Sequence, residues 1–535
     1  MRNTRRRLNP LRIGVLVSVY VPAWILAQAS AGVLLLLRRG VVRTRRTAFL
    51  VAFATTIWWL LVLSAVVAGF TDGTHGFWMG LVLTLPVAGV AGWQIRQWAE
   101  GMFWSQQYGS VVLGQVAAAP VLLRRPYSVT SGERMKHLIV HGPTGSGKTT
   151  LLTSLIVQDV GAGAGLCVID PKDNLIDRIL PHIPAQRERD VIVLDATDTE
   201  RPLGFNPLSG VSAERRSLAT SEFIAVFRRY FQQSWGVRME HILTNTILAL
   251  LEAKPQPTLL DIPRMLLEPA FTTSVLAHVR NPGVLQFFFL EWELALRRRG
   301  DAVEPILNKV GPWLSFPEIR NVVGQPTSSF DPRQLMDEGK ILLVRIPQGI
   351  LGEEASSLIG ALVVARMQLA AHSRADVHES HRRPFYLYVD EFQNFATSSF
   401  ERILAEARAF KLGLVCANQY PEQLSRELQL AISRNAATTV HCVRFRGRYR
   451  LRVDRLEDVQ HDIPSFAVTP PAPLPEGDYE RAARIRALSR GRYGRDRASV
   501  EAELAPYLGT GSREASRVNG KTRPSPRTVR DLDEE

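Results

Sequence analysis

The stretch Gly142-Pro143-Thr144-Gly145-Ser146-Gly147-Lys148-Thr149-Thr150 constrains this chain more than any other. The run His137-Leu138-Ile139-Val140 before it reads as a buried strand. The run Leu151–Ile156 after it reads as the first turns of a helix. Glycine, four residues, then Gly-Lys-Thr between a strand and a helix is the pattern of a phosphate-binding loop. Its glycines let backbone N–H groups turn inward around a β-phosphate at the positive end of a helix. Lys148 is placed to reach the β- and γ-phosphates, and the Thr149 hydroxyl to hold Mg²⁺. Gly142 through Thr150 are therefore the expected ATP-binding set. A chance glycine-rich turn would not need every motif position filled in this strand–loop–helix setting.

At 535 residues the chain is too long for one ordinary core. Its formal net charge of +14 suits anionic partners such as nucleic acid or acidic lipid headgroups, although a solvated basic surface gives the same balance. The three cysteines, Cys167, Cys416 and Cys442, form no Cys-x-x-Cys motif and no Cys/His cluster, so neither a zinc site nor a disulfide framework is expected. Cys167 and Cys416 lie in apolar runs and read as small buried hydrophobes, a reduced, cytoplasmic pattern.

The first hundred residues differ in composition. Ile13–Leu37, Ala48–Phe70 and Phe77–Ile95 are apolar and reach or approach the roughly 20 residues that a membrane span needs. Trp78 and Trp93 sit near span ends, as interface anchors do. ATP is cytoplasmic, so the phosphate loop must be inside. Phe77–Ile95 then runs inward, and Thr71–Gly76, with Asp72 and no Lys or Arg, lies outside. Arg38, Arg39, Arg43, Arg45 and Arg46 then lie inside, as the positive-inside rule expects. If Ile13–Leu37 also spans, Arg2, Arg5, Arg6, Arg7 and Arg12 fall outside, against the rule. Two spans and three both remain open. A cleaved signal peptide ending near Ala27-Gln28-Ala29 would leave the ATP site outside and is rejected.

In the soluble part, Val111–Leu123 reads as a small β element. Leu166–Asp170 and Val191–Asp195 read as buried strands alternating with helices, so a parallel sheet is expected. From Ser212 to about Val322 the periodicity is helical, with Pro255, Pro257, Pro263, Pro282 and Pro305 as breakers. Strand pattern returns at Ile341–Ile346, and Ser357–Ala371 reads as a buried helix.

Phe385–Val389 is an apolar strand ending in Asp390-Glu391. That ending matches a Walker B strand, with Asp390 on Mg²⁺ and Glu391 polarising the attacking water. A bare cap on the following helix is the competing reading, and the upstream phosphate loop favours the catalytic one. Leu412–Asn418 is a further strand running into Gln419, placed either to sense a γ-phosphate or to serve as a loop amide. Val440–Phe445 reads as the last strand. Arg444, Arg446, Arg448, Arg450, Arg452 and Arg455 follow with Phe445 and Tyr449 interleaved. Alternating arginines on one strand face could grip a phosphate backbone while the aromatics stack on bases, or the segment is a basic edge strand or solvated hairpin. Beyond Pro464 come Pro-rich linker residues, then an expected helix near Asp478–Leu488 with Arg481, Arg484 and Arg486 and another near Ala498–Leu508, while Ser512–Glu535 is polar, mixed in charge and expected to be disordered.

The phosphate loop, Asp170-Pro171-Lys172, Phe205-Asn206-Pro207-Leu208, the helical stretch, Asp390-Glu391-Phe392-Gln393 and Gln419 come in an order that resembles type IV secretion coupling proteins of the TraG/TraD type. These belong to the HerA/FtsK branch of RecA-like motor ATPases. The resemblance covers roughly 110–445, and the amino-terminal apolar region is similar too. It implies an α/β fold with a RecA-like parallel sheet, an inserted all-α domain and an N-terminal transmembrane anchor. The expected division is 1–105 anchor, 106–211 first ATPase part, 212–325 helical insertion, 326–465 second ATPase part and 466–535 basic, partly disordered tail. It further implies a homo-hexamer in the cell membrane, with its ATPase domain cytoplasmic, using ATP and Mg²⁺. Such a ring passes DNA, by way of a relaxase complex, to secretion-channel proteins. Gln419 as γ-phosphate sensor rests chiefly on this resemblance. An arginine acting on a neighbour's nucleotide is also implied. Arg434 is the first candidate and Arg408 the second, each equally readable as a surface arginine. Two other functions stay open at this stage: a docking receptor for protein substrates with a switch-like ATPase, and an FtsK-like chromosome pump. The long linker and carboxyl-terminal DNA reader usual in such pumps are not visible here.

Overall fold

The computed structural model describes residues 110–116, 126–231, 235–292, 303–397, 399–445, 448–457 and 466–508. The three expected membrane stretches and the expected disordered tail lie outside the described residues. The chain divides into two compact units, 1–107 with 119–128, and 108–118 with 129–535. The second unit carries the sheet.

Its strands are β1 (Val111–Val116), β2 (Leu138–His141), β3 (Gly165–Asp170), β4 (Val191–Asp195), β5 (Ile341–Arg345), β6 (Phe385–Val389), β7 (Leu412–Asn418), β8 (Thr438–Phe445), β9 (Arg448–Arg455) and β10 (Phe466–Thr469). From β1 across, the order is β1-β10-β9-β8-β2-β7-β6-β3-β5-β4. β8, β2, β7, β6, β3, β5 and β4 are mutually parallel. β9, β10 and β1 are added antiparallel. β2, β3, β6 and β7 are buried along their whole length, which is why they read as unbroken apolar runs rather than as alternation. Leu138 pairs Val415 on one side and Thr438 on the other, so β7 separates the loop-bearing β2 from β6.

The helices used below are α1 (Lys148–Gly161), α2 (Arg216–Tyr230), α3 (Val237–Ala253), α4 (Glu353–Ser373), α5 (Arg426–Asn435), α6 (Tyr479–Tyr493) and α7 (Arg497–Leu504). Between β4 and β5 the named elements are all helices, from Ala213–Arg215 to Pro332–Glu338. They do not form a core of their own. Phe223, Phe227, Leu243 and Ile247 share one apolar cluster with Ile169 and Leu194 of the sheet and Leu362 of α4. Among the described residues, Glu353–Asp376 is a helix long and apolar enough to cross a membrane, but 83% of its apolar window is buried inside the protein. It is a core helix packed on α2, as its nearly continuous apolar surface suggests.

Two findings concern the chain beyond β8, and the first departs from the sequence reading. The sheet does not end at β8, because β9 and β10 continue it. In β9, Leu451 and Val453 are buried while Arg450 and Arg452 alternate with them, the period of two expected of arginines on one strand face. The second is in the tail, where the two helices expected near Asp478–Leu488 and Ala498–Leu508 form as α6 and α7. Ile485, Val500 and Leu504 are fully buried, and the Val193 N–H of β4 donates to the Ser489 hydroxyl at 2.8 Å.

His137 enters β2 with a left-handed φ of 71°. Its Nδ1 accepts from the Leu414 N–H at 3.1 Å and its Nε2 lies 3.1 Å from the Leu404 carbonyl, which fixes a neutral ring. Burial lowers it from 6.5 to about 4. The folded value is depressed, so its contribution is complete above pH 6.5 and is lost as the pH falls toward 4. His141, lowered the same way, adds to this slope. Between pH 7 and pH 5, denaturant titration should show about 2 kcal/mol of stability lost through His137. The His137→Asn chain, which keeps a residue tolerant of positive φ, should show a shallower pH dependence.

Candidate active site

Gly142 follows β2 directly, and its N–H donates to the Asn418 carbonyl at the end of β7. A Cβ at Gly142 would lie 2.4 Å from Ser146 Oγ and 2.8 Å from Cys442 Cβ, so only glycine lets the loop fold this tightly. Gly145 and Gly147 take φ of 77° and 93°, and Gly147 caps α1. The first N–H groups of a helix have no partner within it, which makes this terminus ready for an anion. The Ser146 hydroxyl is buried and finds no hydrogen-bond partner among the described residues.

Lys148 opens α1, and its Nζ stands 3.1 Å from Glu391 Oε1 and 3.6 Å from Asp390 Oδ1. The three side chains are 8%, 1% and 2% exposed, although Glu391 lies 243 positions after Lys148. Asp390 and Glu391 follow β6. Glu391 is held in a left-handed conformation at φ 47° and ψ 48°, and its N–H donates to Asp390 Oδ1 at 3.0 Å. Such backbone is sparsely populated and tends to mark functional positions. The sequence places Thr149 one residue after Lys148, within the same turn of α1. The fold thus gathers the phosphate loop, Lys148, Asp390 and Glu391 at one end of the sheet.

Lys172 also binds Glu391 Oε1, and Gln393 Nε2 donates to Oε2 at 2.7 Å. Burial works to raise the Glu391 carboxyl, but Lys172, Gln393 and Lys148 outweigh it and hold it at about 2. Burial raises Asp390, with Lys148 opposing and Glu391 reinforcing. In the sequence, Lys172 stands within Asp170-Pro171-Lys172 with no role assigned to it. The turn is built to aim it. Asp170 accepts from the N–H groups of Lys172, Leu175 and Ile176 at 3.0, 2.8 and 3.0 Å, and Arg345 holds Asp173. The available signal was a lysine two residues past a buried strand end, on the sheet neighbour of β6.

At the end of β7 the fully buried polar side chain is Asn418. Its Oδ1 meets His141 Nδ1 at 2.7 Å, and its Nδ2 donates to the Tyr420 carbonyl. Gln419 follows, half-buried, with its N–H donating to Gln423 Oε1 at 3.0 Å. Arg434 and Arg408 are exposed and lie at the other end of the sheet. Arg434 sits at the end of α5 just before β8 begins, and Arg408 just before β7 begins. The chain's own fold brings neither to the phosphate loop.

Residues 93–254 match the family described as Type IV secretory system Conjugative DNA transfer. The match takes in the phosphate loop, Lys172 and the first helices of the helical region. Among solved structures, the chain is similar to the bacterial conjugative coupling protein TrwBdeltaN70 in its unbound form, at 15% identity and a TM-score of 0.48, over 71% of this chain and 94% of that one. It is similar to plasmid coupling protein TrwB in complex with ADP and Mg²⁺, at 15% identity and 0.45, over 66% and 89%. VirB4 of Thermoanaerobacter pseudethanolicus gives 13% identity and 0.43, over 70% and 98%. No curated protein matches the sequence.

Proposed function

We propose that this chain is a membrane-anchored ATPase that couples ATP hydrolysis to delivery of DNA, or of relaxase-bound DNA, into a type IV secretion channel. The observation that carries the reading is the convergence of Lys148, Asp390 and Glu391 beside a glycine loop whose Ser146 hydroxyl is left without a partner. The match of residues 93–254 to a conjugative DNA-transfer family supports DNA as the cargo.

The loop N–H groups and Lys148 bind the triphosphate, and the carboxylates then lose Lys148 to the phosphates. Thr149 and Asp390 hold Mg²⁺, which neutralises phosphate charge when bound. Glu391, ionised at neutral pH, takes the proton of the attacking water. Gln419 is the candidate γ-phosphate sensor. Arg434, exposed at the opposite end of the sheet, acts only on a neighbour's site, in a ring of copies that we take to be a hexamer. The apolar stretches before residue 96 anchor the ring in the cell membrane with its ATPase domain cytoplasmic.

Hydrolysis by the full-length chain should rise when single- or double-stranded DNA is added, and this stimulation should fall steeply with salt. The Lys148→Ala chain should show neither basal nor stimulated turnover. Equal rates with and without DNA would remove the translocase reading.

A further inference from the structure

The β8–β9 hairpin stands beside the phosphate loop and takes no part in the chemistry above. β8 pairs with β2 up to His141–His441 and then runs on through Cys442 to Phe445, past the point where β2 gives way to the loop. β9 returns alongside it, with Tyr449 opposite Arg444. The Tyr449 ring comes down on the loop, so that a Cβ added to Gly147 would lie 3.4 Å from its Cδ1. The Arg444 guanidinium is 6.0 Å from the ring centroid, and the tyrosine is still 48% exposed.

The sheet order sets the direction of a bound nucleotide. The carboxylates come from β6, which lies on one side of β2 beyond β7, while the hairpin lies on the other side. A triphosphate with its terminal group between Lys148 and Glu391 must run its α-phosphate and nucleoside away from β6. That direction leads to β8 and β9. We infer that Tyr449 is the platform on which the nucleobase of the bound nucleotide stacks, with Arg444 beside it. This rests on the phosphate-site reading above. An aromatic ring in contact with the loop gains from any base, because every base offers a π-face, so adenine and guanine nucleotides are held alike. A base of DNA has the same chemistry, but the contact with Gly147 favours the nucleotide.

The test is calorimetric titration of the full-length chain with ATP, GTP and inorganic tripolyphosphate. The Tyr449→Ala chain should bind ATP and GTP about tenfold more weakly, with tripolyphosphate unchanged. Tyr449→Phe should bind all three as the wild type does. Unchanged ATP affinity in Tyr449→Ala, with or without weakened binding of single-stranded DNA, would overturn the inference. So would an equal loss for ATP and tripolyphosphate, which would make Tyr449 a prop for the loop. A wild-type chain that binds no tripolyphosphate would overturn the phosphate-site reading and this inference together.

Discussion

A Glu391→Gln chain is expected to hydrolyse ATP about 10²–10⁴-fold more slowly than the wild type, the usual contribution of a positioned base. ATP should bind at least as tightly, because a negative charge close to the terminal phosphate is removed. The substitution keeps the shape of the side chain and its capacity to accept from Lys148 and Lys172. What it removes is the ability to take a proton. Single-turnover hydrolysis measured beside nucleotide affinity separates the two effects. An unchanged turnover would assign the base to another group and leave Glu391 as a partner of the two lysines only.

The second large effect is on stability. Arg134, fully buried, donates to both oxygens of Asp159 at 2.6 and 2.7 Å and to the Tyr388 hydroxyl at 2.9 Å. The Tyr388 hydroxyl donates in turn to Asp159 at 2.6 Å, and the guanidinium lies 3.7 Å from the centroid of the Tyr386 ring. Burial works to lower the arginine, but Asp159 and the two tyrosines keep it charged, above its ordinary value. This cluster ties the far end of α1 to β6, the two elements that bring Lys148 to Glu391. Asp159→Ala should destabilise the protein by about 3–5 kcal/mol, since it strands a buried cation. Replacing the set together, as Arg134→Met, Asp159→Leu and Tyr388→Phe, should recover much of that loss, because no charge or hydroxyl is then left unpaired. Denaturant unfolding of both chains is the measurement. A single variant within about 1 kcal/mol of the wild type would mean that the surroundings relax to solvate Arg134.

The parts legible in the sequence are those whose chemistry is local. The phosphate loop, the apolar strands and Asp390-Glu391 each declare themselves within about ten residues. The chain's longer-range arrangements do not. Nothing near Lys172 says that it meets Glu391, and nothing near Arg134 points to Asp159 or Tyr388. The basic balance was also easy to misread. Arginines of α6 and after it reach acidic groups of the chain itself: Arg481 and Arg484 pair Glu188, Arg490 pairs Asp198, and Arg495 pairs Glu503. The helices near Asp478–Leu488 and Ala498–Leu508 are legible in the sequence, but the acidic partners that hold them are not. The Gln419 strand shows the limit from another side. Its pattern places the strand end correctly, while the buried amide proves to be Asn418, one residue earlier.

β4 closes one end of the sheet, and its outward Val193 N–H is taken up by Ser489 of α6. An open strand at a sheet border is a template for unwanted pairing between chains. Helix α6 therefore covers that border at Val193. Shortening the protein at the proline-rich stretch around Pro470–Pro475 would leave that border bare and invite aggregation, even with every residue of the nucleotide site intact.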